Sequence, residues 1–331
     1  VAGTGPGDRG GPPNSRRPGA LKVRGSSKPE APMARVEHFK YFDPLSLKKL
    51  RNMNLVARFL VEGFISGLHR SPHHGFSVEF AEYRKYILGD DVRRIDWKMW
   101  PKTHKLYVKE FHEETNLRCT ILLDVSASMG YGTGEVTKLE YASYLTAAIA
   151  YLMIKQNDSV GLILFSDGVS TFIPPKSSPA HLKNILVKLE HVEPQRRTDV
   201  ARAFHAIAER VQRRGLIIVL SDFYDEPDNV LKALKHFRHK KHEVLAFHLF
   251  DHAELEFPFD GVVQFKDMES GDSVQLYPRH LRDEYLQKVR EFIRTYQRRC
   301  SDSDIDYIQV DTKTPYDMLL ASYLSKRSLL G

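Results

Sequence analysis

Two acids and three hydroxyls in this chain stand where they could hold a divalent cation. In Asp124-Val125-Ser126-Ala127-Ser128 an acid and two hydroxyls alternate. In a loop leaving a strand they can turn toward one point while Val125 and Ala127 pack away. Thr198 follows the loop Pro194-Gln195-Arg196-Arg197 and precedes a helical stretch, and Asp222 closes the apolar run that begins at Gly215. Carboxylates and hydroxyls are hard oxygen ligands, suited to Mg2+ or Mn2+ and poorly suited to Zn2+ or copper. The expected metal site is therefore Asp124, Ser126, Ser128, Thr198 and Asp222. In the competing reading Asp124 only caps the following helix, and Ser126 and Ser128 satisfy turn amides.

Other polar clusters carry less. His236, His239 and His242 are three residues apart, a spacing that can build a metal site on one helix face. Four Lys or Arg neighbours in 235–243 would repel a cation, so a solvated basic face is the expectation. His69, His73 and His74 fall in a stretch, 63–75, expected to be a loop. Asp90, Asp91, Arg93, Arg94, Asp96 and Trp97 surround a glycine-containing turn and are read as local ion pairs, with a recognition surface as the alternative. Only His191 and His205 lie close in sequence to a ligand loop. No GxxxxGK[ST] phosphate loop occurs, so nucleotide hydrolysis by this chain is not expected.

The elements that must position these residues follow from periodicity. A helix is expected over about 44–60, opened by Asp43 and Pro44. Short strands around a turn are expected in the β-branched and aromatic stretch 76–114. Beyond Leu117 apolar strands alternate with helices. Runs ending at Asp124, Phe165 and Asp222, then 243–250 and 304–310, are separated by helices near 138–156, 179–190, 199–213, 227–240 and 279–298, with a last helix from about Pro315. Nearly all-apolar strands between helices require a parallel sheet covered on both faces. The fold class is α/β, doubly wound and mostly parallel, with a small N-terminal β-containing extension. Ligands of such sheets sit beyond the carboxyl ends of the strands, which is where Asp124 and Asp222 stand.

Composition sets the limits. The 331 residues, 42% hydrophobic and 27% charged, are enough for a full core. No apolar run is long enough for a membrane span, so a cytoplasmic place is expected. Cys119 and Cys300 are far apart and suggest neither a disulfide framework nor a CxxC site. Within 1–32, six basic residues oppose two acids, leaving only +3 of the net +7 for the rest of the chain. That segment also holds thirteen Gly or Pro residues and is read as a disordered tail or an upstream extension. The expected organisation is thus 1–32 tail, 33–117 N-terminal helix and β-containing subdomain, and 118–331 main domain.

Read together, Asp124-Val125-Ser126-Ala127-Ser128-Met129, Thr198 in 197–204 and Asp222 in 219–223 resemble the metal-ion-dependent adhesion site of von Willebrand factor A-like domains. Upstream, Glu79 to Trp100 followed by 105–111 resembles the hallmark block of the domain-of-unknown-function 58 family. A departure from that block is Pro101-Lys102-Thr103-His104, which touches only local loop detail. The resemblance implies that Ser126, Ser128 and Thr198 contact the metal directly, while Asp124 and Asp222 act directly or through water. A partner's Glu or Asp would fill the open position. It also implies work beside a MoxR-type AAA+ ATPase in protein complex assembly or maturation. The resulting expectation is a metal-dependent protein-binding adaptor and not an enzyme. A metal-assisted hydrolase is the first alternative and a nucleic-acid binder the second; with +3 outside the tail, nucleic acid is not the expected partner.

Overall fold

The computed structural model describes residues 44–48, 50, 52–70, 83–85, 107–109, 117–195, 200–269 and 271–328. Its main sheet is built from β3 (Arg118–Asp124), β4 (Ser159–Phe165), β5 (Val169–Lys176), β6 (Leu216–Ser221), β7 (Glu243–Phe250) and β10 (Asp306–Asp311). The strand order is β10-β7-β6-β3-β4-β5. All pairings are parallel except that of β4 with β5. The main sheet therefore has the expected doubly wound, mostly parallel α/β class, with β3 and β6 side by side at its centre.

Both faces of the central strands are buried because their residues are apolar without interruption. Ile121 and Leu123 of β3 point into one core and Leu122 into the other. The first core is closed by α3 (Lys138–Lys155), α4 (Pro179–Glu190) and α9 (Tyr316–Ser328). The second is closed by α5 (Val200–Arg210), α6 (Pro227–His239) and α8 (Arg282–Ser301). On α5 the buried residues Val200, Ala203, Phe204, Ile207 and Ala208 recur at the spacing of one helix face. α3 starts at a capping box in which Thr137 and Glu140 satisfy each other's backbone N–H groups.

Several elements differ from expectation. The single helix of 44–60 is two, α1 (Pro44–Lys48) and α2 (Met53–Arg70). Asn52 separates them, its Oδ1 accepting from Asn54 N and Leu55 N at 2.9 and 3.1 Å, as an N-cap does. α2 continues to Arg70, so His69 is helical and not in a loop. α2 buries Val56, Ala57, Leu60, Val61 and Phe64 in the same core as α3.

β5 was not anticipated. Its burial alternates between half-buried and exposed, and Pro174 and Pro175 obscure a strand signal. A hairpin of β8 (Val263–Lys266) and β9 (Ser273–Leu276) was also missed. α8 begins three residues later than expected, after a single 3-10 turn at Pro278–His280, and contains Cys300. Both cysteines are buried and unpaired. In the upstream region, β1 (Tyr83–Lys85) pairs antiparallel with β2 (Tyr107–Lys109). The expected tail 1–32, His73, His74 and the segment Asp90 to Trp97 lie outside the described residues.

Candidate functional site

Asp124 is the last residue of β3 and Asp222 follows β6, so adjacent parallel strands deliver two carboxylates to one end of the sheet. Asp124 is fully buried. Its Oδ1 accepts from Ser126 N at 2.8 Å and its Oδ2 from Ser221 Oγ at 2.5 Å. Burial, then the charge of Asp222, raises its pKa to about 7, against the hydrogen bonds from Ser221 and Ser126 that favour the ion. Ser126 and Ser128 turn to the same place, with their hydroxyl oxygens 3.0 Å apart. The competing view of Asp124 as a turn acceptor is correct for one oxygen. It does not account for the pairing of the Ser126 and Ser128 hydroxyls beside Asp124.

The turn after β6 is held in a costly shape. Phe223 has φ 49°, the left-handed region, and is completely buried, with its N–H donating to Ser221 Oγ at 2.9 Å. A bulky residue there costs about 1–3 kcal/mol and persists only where the surroundings impose it. Here stacking on Tyr296, with ring centroids 5.4 Å apart, fixes the ring and hence the direction of Asp222.

Thr198 lies outside the described residues. The residues just before it are tied to the Ser126 loop. Gln195 N donates to Val125 O at 2.6 Å, Gln195 forms a parallel bridge with Ser126, and Ser166 Oγ donates to Gln195 Oε1 at 2.8 Å. A Cβ on Gly130 would come within 2.8 Å of Pro194 Cγ, so the two loops touch closely. α5 starts at Val200.

The basic partner in this site has no signal in the residue pattern. Lys138, at the start of α3, is fully buried, and its ammonium donates to Asp222 Oδ2 at 2.8 Å and Glu254 Oε1 at 2.9 Å. Burial opposes its charge, yet the two carboxylates hold its pKa above the usual lysine value. A cation at a helix N-terminus is disfavoured by the dipole, so these acids decide its position. The ring of Tyr224 also lies 4.8 Å from the ammonium. Glu254 belongs to α7 (His252–Glu256), and its other oxygen accepts from Asp251 N at 2.7 Å.

Oxygen is the only donor the candidate ligands offer, which suits Mg2+ or Mn2+. Among the described residues no group of three or more His, Cys, Asp and Glu gathers where an ion could sit. The expected set holds two carboxylates and three hydroxyls.

A family model described as Protein of unknown function DUF58 matches residues 82–294. The chain belongs to this family. Relatives of this DUF58 protein include uncharacterised proteins of Mycobacterium bovis and Mycobacterium tuberculosis. Each is 30% identical over 233 residues, which are 69% of this chain and 73% of theirs. Solved structures similar to it include BatB from Bacteroides thetaiotaomicron, with a TM-score of 0.47 and 19% identity over 64% of this chain and 98% of that one. The SpRpn10 VWA domain is another, with a TM-score of 0.38 and 14% identity over 62% of this chain and 94% of that one.

The DUF58 histidines singled out by spacing do not form a site. His242 is buried, not solvated, and its Nε2 lies 3.2 Å from Val211 O. His236 instead meets His205, with Nδ1 atoms 3.3 Å apart, and His191 caps its own helix through Val187 O. The histidine that touches the candidate site is His248, whose place could not be read from spacing. Its Nε2 lies 2.9 Å from Asp222 O and its Nδ1 2.8 Å from Tyr307 Oη. Burial lowers its pKa to about 3, so it is neutral. Among the described residues no helix is long and apolar enough to cross a membrane.

Proposed function

We propose that this protein is a metal-dependent protein-binding adaptor that grips a partner through the partner's carboxylate. The observation that carries the reading is the meeting of Asp124, Ser126, Ser128 and Asp222 at the ends of β3 and β6. The hydroxyls are 3.0 Å apart beside a carboxyl whose pKa burial and Asp222 raise to about 7. A site that resists its own negative charge in this way favours a cation. Asp124, Ser126, Ser128 and Asp222, with Thr198, would hold Mg2+ or Mn2+, and the ion would offer an open position to an incoming Asp or Glu.

Neutral hydroxyls leave the ion short of compensating charge, while Lys138 adds positive charge behind Asp222. Both favour an anionic side chain on the partner. The family resemblance makes a MoxR-type AAA+ ATPase the partner to try first, with complex assembly or maturation in the cytoplasm as the setting. A hydrolase draws less support, because both nitrogens of His248 are engaged and its depressed pKa makes it a poor base.

Titration calorimetry with Mg2+ tests the grip: the wild type should bind one ion and Asp124→Ala none. Capture of the ATPase should weaken with Thr198→Ala and with EDTA. Equal Mg2+ binding by wild type and Asp124→Ala, or equal capture by all three samples, would sink the reading.

A further inference from the structure

A cavity of about 630 Å3 opens beside the paired hydroxyls, lined by Ser128 and Tyr131 and by the β8–β9 hairpin. Six of its seventeen lining residues are aromatic. Phe257 stacks on Tyr285 with ring centroids 4.3 Å apart and lies parallel to Phe265 at 5.8 Å. Phe257 ends α7 with φ 47°, and that left-handed turn sends the chain out toward the hairpin. The hairpin contributes Phe265 and Leu276, both half-buried, and the exposed Met268 to the walls. Its core-facing side thus borders a space and not the main core.

We propose that this cavity is the second half of the partner site and takes a bulky apolar side chain, best an aromatic one, that directly follows the carboxylate in the partner's chain. This rests on the carboxylate grip proposed above. Three observations select the occupant. Ser128 belongs both to the hydroxyl pair and to the cavity wall, so a chain leaving the hydroxyls passes straight into the cavity. The volume lies in the range of about 300–1,000 Å3 that encloses a ligand, and the aromatic lining offers stacking to a ring. The charge of the lining excludes the main rivals. Glu254 is paired with Lys138 and Glu284 with Lys288, and Asp267 and Glu269 still outnumber Lys266, which disfavours a second acid, a nucleic acid or an anionic lipid. The partner's one carboxylate is therefore steered to the hydroxyl end and its neutral side chain to the rings.

The probes are trifluoroacetylated tetrapeptides followed by 19F line broadening, which detects weak binding. The peptide glycine-aspartate-phenylalanine-glycine is compared with versions carrying asparagine for aspartate and alanine for phenylalanine. Each is tested in Mg2+ and in EDTA against the full chain, Asp124→Ala and Met268→Arg. Met268 is 45% exposed on the rim, so the last variant crowds the cavity without opening the core. The expected result is Mg2+-dependent binding weakened about tenfold or more by each peptide change and by Met268→Arg.

If the phenylalanine and alanine peptides bind alike and Met268→Arg has no effect, while EDTA still abolishes binding, the cavity proposal is overturned and the carboxylate grip stands. Phenylalanine-dependent binding that ignores EDTA, Asp124→Ala and the asparagine change upholds the cavity and overturns the grip. Binding of no peptide, or self-association abolished by Met268→Arg in sedimentation, overturns the cavity proposal by leaving it empty or assigning it to a second copy.

Discussion

A carboxyl group shut away from water and faced by another acid costs the fold stability whenever it is ionised. For Asp124 the folded value is raised to about 7 from an ordinary 3.8. The unfolded chain therefore ionises first, and stability drains away as pH rises from about 4 through about 7. In metal-free buffer Asp124→Asn should be more stable than the wild type by about 4 kcal/mol at pH 8. The difference should shrink toward zero at pH 4. Urea denaturation at the two pH values checks this, and a variant less stable at pH 8 would mean that the carboxylate is structural. The same variant should lose Mg2+ binding, since an amide replaces an anionic ligand. Lys138 explains why the wild type tolerates its two acids at all: an ammonium between Asp222 and Glu254 offsets charge that burial would otherwise penalise.

At the scale of elements, the ligand loops act as a pair. The Gln195 bridge and the contact of Gly130 with Pro194 fasten the segment before Thr198 to the loop of Ser126. A methyl group at position 130 would meet Pro194 at 2.8 Å and push the two loops apart. Gly130→Ala should lower Mg2+ affinity about tenfold by calorimetry, because Mg2+ demands close octahedral geometry. Its melting point should fall by only a few degrees. Unchanged affinity would show that Thr198 is not positioned through this contact.

What could be read from the sequence follows the same division. The central strands and the two aspartates were legible because a both-faces-buried strand is an unbroken apolar run, and an acid ending it stands out. Lys138 was not, since its partners are 84 and 116 residues away and its own helix looks ordinary. β5 was hidden by Pro174 and Pro175, and β8 and β9 because half-exposed short strands carry weak alternation. Asn52 broke one expected helix into two by offering its side chain to the next helix's first amides.

Across the whole molecule, the span of the family match and the span of the fold differ. Residues 82–294 exclude α2, β10 and α9, yet Val56, Leu60, Phe64, Val310, Tyr316 and Leu320 all lie in the main core. A fragment of 82–294 would expose that apolar surface and lose a strand beside β7. It should show no cooperative thermal transition by circular dichroism, whereas a chain of 44–328 should melt in one step. A cooperative melt of the shorter fragment would mean that these helices are dispensable.

β5 leaves its mark on how copies of the molecule meet. An outermost strand normally presents a row of amide donors on which another chain can grow. Pro174 and Pro175 have no amide hydrogen to give, and the pairing with β4 is irregular between Val160 and Leu162, beside them. A foreign strand would find the template interrupted there. On that flank the missing donor and the bulge disfavour fibril-like growth of the sheet from one molecule to the next through β5.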